Sequence, residues 1–351
     1  MILNSRLFIY LFIIILFSSC FKKDDAIILS PAGEVQLAQV AMGPDYLNQV
    51  YFKLSTKETF MSDHGSWDLA FDPSSNGYHI WINSGNQVLI SRTNSSNFNY
   101  ITDTIGTKWR WDASSWNKDS TAIGNWININ PTDPSLSDET TNQSTPEKIE
   151  QNEEAIGVFL IDLGPNINSS ERFKKIVFKT VNQYEYTLKY ANLNNSDLHE
   201  MTIQKEPGFA YTYFSIQHGN KVVYPEPIKP KWDLLFTRYH YDFYQNGNLV
   251  PYIVTGVLIN PDGYSIAEDS SSAFDIIDYN FSKNLTYITN RDAIGFDWKH
   301  IDYQSSALYV VDPSKNYIIK DNVGYYWKLH FIDFYNDQGI KGYPQFEYQR
   351  L

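Results

Sequence analysis

Hydrophobic positions in this chain follow two spacings. Leu7 to Phe17 is one unbroken apolar run. Beyond it, apolar and aromatic residues alternate with polar ones, most clearly in Tyr184 to Tyr190 and Tyr325 to Phe331. A period of two places one face of a β-strand on a core. Asn83-Ser84-Gly85-Asn86, Asn260-Pro261-Asp262-Gly263 and Asn336-Asp337-Gln338-Gly339 read as hairpin turns, because Gly and Asn tolerate positive φ. No long amphipathic helix is visible, and Ala273 to Phe281 is the one stretch suited to a short one. The pattern predicts an all-β fold of antiparallel strands packed as a sandwich, with few short helices.

The apolar run is too short to anchor the chain. Its 11 residues at about 1.5 Å each span roughly half of a bilayer core of about 30 Å. With Arg6 before it and Ser18-Ser19-Cys20 after it, it reads as a signal peptide over residues 1–19. Cys20 is the only cysteine of 351 residues. It can form no intramolecular disulfide, and it sits where lipoprotein processing acylates a thiol. Residues 20–44 then form a lipid-anchored tether. The formal net charge of −12 and the lack of a basic stripe argue against nucleic acid as a partner. Aromatics make up 16% of residues, including 26 Tyr and 9 Trp. That bias suits half-buried strands and also surfaces that bind flat or sugar-like ligands.

The chain carries an internal duplication. Trp67-Asp68-Leu69-Ala70-Phe71 returns as Trp232-Asp233-Leu234-Leu235-Phe236. Tyr51-Phe52-Lys53-Leu54 is echoed by Tyr213-Phe214-Ser215-Ile216, and Ala122-Ile123-Gly124-Asn125-Trp126 by Ala293-Ile294-Gly295-Phe296-Asp297-Trp298. Tyr184 to Tyr190 is echoed by Tyr325 to Phe331. The expected organisation is a first repeat over 45–206 and a second over 207–351. Residues 131–155 are acidic and poor in apolar side chains, and read as a disordered insertion in the first repeat. The second repeat has its own aromatic extension between Phe236 and Asn260.

These blocks, with Tyr325-Tyr326-Trp327-Lys328-Leu329-His330-Phe331 followed by Gly339-Ile340-Lys341-Gly342, resemble the HmuY family. Its members are all-β surface lipoproteins of Bacteroidota, the best known being hemophores that pass haem to an outer-membrane receptor. Lys22-Lys23-Asp24-Asp25 likewise resembles the export tag of such lipoproteins. The resemblance implies an outer-membrane lipoprotein exposed at the cell surface, with haem as a ligand. It places no axial ligand, since neither the paired His nor the Met of family members falls on a matching motif here.

Haem capture needs nitrogen or sulfur donors facing an apolar slot with aromatic walls. His240, within Tyr239-His240-Tyr241 and close to Tyr244, is the leading ligand-binding candidate, with His79 next. The plainer reading makes His240 a partly exposed loop histidine and His79 a surface one. His199 and Met201 share a strand face, more simply a solvated strand end, and His330 is expected to point outward. Asp68 and Asp233 recur in the Trp-Asp-Leu blocks and read as structural. No HExxH, Cys/His metal spacing or Gly-rich phosphate loop occurs, so no catalytic or metal set is assigned and the chain reads as a binding module, not an enzyme. The alternatives are a glycan- or peptide-binding lipoprotein using Trp109, Trp111 and Trp116 as platforms, and a structural envelope lipoprotein with no small ligand.

Overall fold

The computed structural model describes residues 32–93, 95–124, 126, 149–150, 157–304 and 308–351. The expected signal peptide, Cys20 and the start of the tether lie outside them. So does the acidic insertion, apart from Ile149–Glu150.

The regular structure of the described residues is mostly antiparallel strand, as the alternation predicts. One sandwich has an outer sheet ordered β11 (His199–Gln204), β10 (Glu185–Asn192), β9 (Phe173–Val181), β8 (Phe159–Asp162), β6 (Leu89–Arg92). It faces an inner sheet ordered β13 (Lys221–Val223), β12 (Thr212–Ser215), β4 (Leu69–Phe71), β5 (Ile80–Ile82). Between them lies a core that includes Leu69, Phe71, Ile82, Phe159, Phe178 and Phe214. β7 (Ile149–Glu150) pairs with Thr180 and Val181 at the end of β9. There β9 outruns β8, whose pairing reaches only Ile176, so the strand has open hydrogen-bonding groups to offer. Part of the expected insertion is thus strand.

The second sandwich repeats the plan. Its inner sheet is β15 (Asn248–Ile259), β14 (Leu234–Gln245), β2 (Asn48–Phe52), β3 (Thr59–Asp63). Its outer sheet is β1 (Gln36–Gln39), β21 (Lys341–Arg350), β20 (Tyr326–Tyr335), β19 (Asn316–Lys320), β16 (Ser265–Asp269). Phe52, Leu234, Phe236, Trp298, Phe331 and Phe346 fill the core. A ribbon of β17 (Lys299–Asp302) and β18 (Leu308–Val311) and a single-turn helix α1 (Tyr279–Ser282) complete it.

The strand pairing crosses the duplication. β12, with Tyr213-Phe214, pairs with β4 of the first Trp-Asp-Leu block. β2, with Tyr51-Phe52, pairs with β14 of the second. Each block's aspartate clamps the end of the strand it receives. Asp68 accepts from the backbone N–H of Ile216 (2.6 Å) and Gln217 (3.0 Å) and from Ser215 Oγ. Asp233 accepts from Leu54 N (2.6 Å), Lys53 Nζ (2.5 Å) and the Tyr264 hydroxyl (2.5 Å). The tryptophans match as well: Trp67 meets Tyr213 edge-on at 4.9 Å, and Trp232 meets Tyr51 at 5.0 Å.

Two of the three turns do other work than expected. Asn336–Gly339 closes the β20–β21 hairpin. Asn83–Asn86 and Asn260–Gly263 instead carry the chain from inner to outer sheet, β5 to β6 and β15 to β16. Their local chemistry holds: Asn83 donates to Trp67 O (2.9 Å), Asn260 donates to Trp232 O (2.8 Å), and Gly263 has φ +84. Turn residues bend the chain, but the sheet that receives the next strand is set by which face must be buried. His330 lies on the face turned away from the core, as expected, but is half-buried there, stacked on Phe274 at 4.0 Å and bonded to Glu347.

Candidate functional site: a cleft between the two inner sheets

In each inner sheet the central strands are covered on both faces. The faces turned away from the cores meet, and Tyr51, Trp67, Tyr213, Leu235 and Tyr239 surround a cavity of about 30 Å³ there, room for one or two waters. Beside it opens a cleft of about 630 Å³, within the range of small-molecule sites, about 300–1,000 Å³.

One wall is the loop after Arg110. Asp112 is buried and accepts from Ile82 N (2.7 Å) and Ala122 N (2.6 Å). Burial pushes its carboxyl up to about 7. This anchor lets Trp116 take φ 47, a conformation costing a non-glycine residue about 1–3 kcal/mol. The Trp116 ring stacks on Trp81 (5.4 Å), meets Tyr211 edge-on (4.7 Å), and carries the guanidinium carbon of Arg291 3.9 Å from its centroid. These four side chains line the cleft. Around them the rim is polar, with Ser74, Asn117, Asp262 and Asn290. At the same rim Lys118 binds Asp72 at 2.6 Å. Although burial works against it, the nearby His79 ring and hydrogen bonds from Lys118 and Ser74 hold the Asp72 carboxyl below the ordinary range.

Behind the other wall sits Glu226, 2% exposed. It accepts from Ala210 N (2.6 Å), Tyr211 N (3.1 Å) and the Tyr213 hydroxyl (2.9 Å). Desolvation raises its carboxyl to about 7.

The residues expected from sequence are dispersed. Tyr239 is buried in the interlayer, and Gly256 makes room for it: a Cβ there would stand 2.4 Å from the Tyr239 hydroxyl. His240 is buried, edge-on to Trp111 at 5.7 Å, while Trp111 donates to Asp242 at 2.7 Å. His240 Nδ1 has no partner among the described residues, burial lowers its pKa, and it borders the 30 Å³ cavity, not the cleft. Tyr241 packs against Phe243 and Phe296, and Tyr244 is 82% exposed toward the tip of the β14–β15 hairpin. His79 comes nearest the cleft, stacked at 6.0 Å on Trp81 with Nδ1 3.8 Å from Asp72. His199 is bonded to Asp197 and stacked on Tyr190. Of the tryptophan platforms, Trp116 lines the cleft, whereas Trp109 stacks on Phe173. Arg291, Tyr211, Trp81 and Glu226 were not singled out by the sequence reading. A lone Arg or Glu in a polar stretch looks like any solvated residue, and only the Trp-rich block hinted at this wall.

Residues 209–348 match the HmuY protein family. The match is under half of the chain, and it contains Tyr211, Glu226, Arg291 and the β14–β15 hairpin. The opposite wall, from Asp72 to Lys118, comes from outside it. No curated protein matches the chain. Among solved structures, apo PinO from Porphyromonas gingivitis is 8% identical, the alignment covering 91% of this chain and 97% of that one at a TM-score of 0.26. The apo HmuY analogue of Tannerella forsythia is 10% identical, with 92% and 98% covered at a TM-score of 0.24.

Haem iron takes His, Met, Cys or Tyr as axial ligands. No His, Met or Cys lines the cleft. Tyr211 does, and burial keeps its hydroxyl protonated up to about 12. The cleft does not fit haem as an iron-ligating site. What it offers instead is an aromatic lining with a guanidinium stacked on it. Among the described residues no cluster of His, Cys, Asp or Glu could hold a metal ion, and no helix is long and apolar enough to cross a membrane.

Proposed function

We propose that this chain is an HmuY-like lipoprotein of the outer membrane, facing the cell exterior through acylated Cys20. In this reading it captures haem or a similarly flat ligand in the cleft for delivery to an outer-membrane receptor, without catalysis. The observation that carries it is the cleft itself, which combines an aromatic floor with a buried guanidinium, one wall lying within the HmuY match. Tyr239 and His240 line the adjoining small cavity, which shares Trp116 and Arg291 with the cleft, and are proposed to act from there. The polar rim of Asn117, Asn290 and Asp262 over tryptophan favours a glycan as the second reading.

The test is a hemin titration of the lipid-free chain followed by tryptophan fluorescence. Saturable quenching at micromolar hemin, weakened about tenfold or more (about 1.4 kcal/mol) in Trp116→Ala, is the expected result. No response to hemin, with retention on a polysaccharide column, would transfer the cleft to the glycan reading. Palmitate labelling lost in Cys20→Ser checks the anchor.

A further inference from the structure

We infer that Arg291 is the cleft's recognition element for an organic carboxylate, so that the ligand is selected by its flat ring and acid group and not by any metal it carries. The inference rests on the reading that the cleft takes a flat ligand.

Arg291 is 8% exposed, yet no carboxylate is within ion-pair distance of it among the described residues. Its one hydrogen bond there is a long one, 3.4 Å from Nη1 to Ser114 O, and its Nε has no partner. A guanidinium carries five donors, and leaving a buried charge uncompensated is costly. The surrounding carboxylates are engaged elsewhere. Glu226 already accepts from two N–H groups and the Tyr213 hydroxyl and makes no hydrogen bond to Arg291, and Asp292 accepts from Ser114 Oγ. Asp72 is bound by Lys118 and Ser74. The other rim cation, Lys229, has Asp262 at 4.0 Å. Arg291 is therefore a cation lining the cleft with no carboxylate bonded to it, its charge met only at a distance by Glu226. Its contact with Trp116 fixes the fork, and a fork of this kind pairs with a planar carboxylate through two parallel hydrogen bonds. An aromatic acid could place its carboxylate on the guanidinium and its ring along Tyr211 and Trp81.

The experiment uses the lipid-free chain with hemin, metal-free protoporphyrin IX and protoporphyrin IX dimethyl ester, read by tryptophan quenching. Thermal shifts with benzoate and with inorganic phosphate run alongside. Hemin and the metal-free acid should bind within about threefold of each other, and the ester about tenfold or more weaker. Arg291→Gln should weaken both acids about tenfold and leave the ester unchanged. Arg291→Lys should fall between, and it serves if the Gln variant does not fold; the ester comparison needs no variant. Benzoate should stabilise the wild type but not Arg291→Gln, and phosphate should stabilise neither. Hemin binding far tighter than the metal-free acid overturns the inference, as does an ester as tight as the acids or a phosphate shift exceeding that of benzoate. If no porphyrin binds while benzoate still acts through Arg291, the flat-ligand reading of the cleft falls and the carboxylate site stands. If benzoate is also inert, the site falls too.

Discussion

Glu226 shows what burial does to a single group. It lies among hydrogen-bond donors but has no cation bonded to it, and desolvation dominates, raising its carboxyl from 4.5 to about 7. A raised carboxyl pKa means that the folded chain holds the proton where the unfolded chain has lost it. Between pH 4.5 and 7 the folded state therefore binds more protons, and stability falls as pH rises. Glu226→Gln removes this dependence. The variant should equal the wild type near pH 4 and exceed it at pH 8 by up to about 3 kcal/mol, as measured by urea unfolding at the two pH values. Asp68 works through its acceptors. Asp68→Ala leaves Ile216 N and Gln217 N unpaired in a buried site and should cost about 2–4 kcal/mol in the same assay. The structural role of Asp68 and Asp233 was legible because each recurs beside Trp in a repeated block. Nothing marked Glu226 or Arg291, since a charged side chain reveals its burial only when the strands around it are placed.

At the level of elements, the alternation in Tyr184 to Tyr190 and Tyr325 to Phe331 correctly gave β10 and β20, strands of the outer sheets with one face on a core. The inner strands read differently. Leu69-Ala70-Phe71 is buried throughout, because Leu69 and Phe71 enter the sandwich core while Ala70 faces the interlayer. A short continuous apolar run is what covering both faces requires, and it cannot say what lies on either side. The turn at Ser84–Asn86 is where the second sandwich's β14 comes closest. A Cβ on Gly85 would stand 2.5 Å from Arg238 O and 2.9 Å from His64 Nε2. Gly85→Val should therefore force the sandwiches apart at this point and lower stability by about 2–4 kcal/mol. Thermal melting with tryptophan emission reports both effects, the second as a red shift when Trp67 and Trp81 become wetted.

The two sandwiches are built by exchange across the duplication. A fragment cut between residues 206 and 207 separates β4 from β12, its partner in the inner sheet, and leaves Asp68 with nothing to clamp. A fragment of residues 64–224 keeps β4, β5, β12 and β13 together. It should unfold cooperatively in urea, and a fragment of residues 45–206 should not. Circular dichroism and urea titration of both check this. If 45–206 melted as sharply as 64–224, the exchanged strand would be dispensable. Strand content, the duplicated Trp-Asp-Leu blocks and the residues that turn the chain are legible along the chain, because these depend on local spacing and on backbone geometry. Which Tyr-Phe strand joins which block, where Asn83 and Asn260 send the chain, and the convergence of Trp81, Trp116, Tyr211 and Arg291 emerge only when the sheets pack. Those follow from burying two faces of each inner sheet at once, a condition satisfied between residues more than a hundred positions apart.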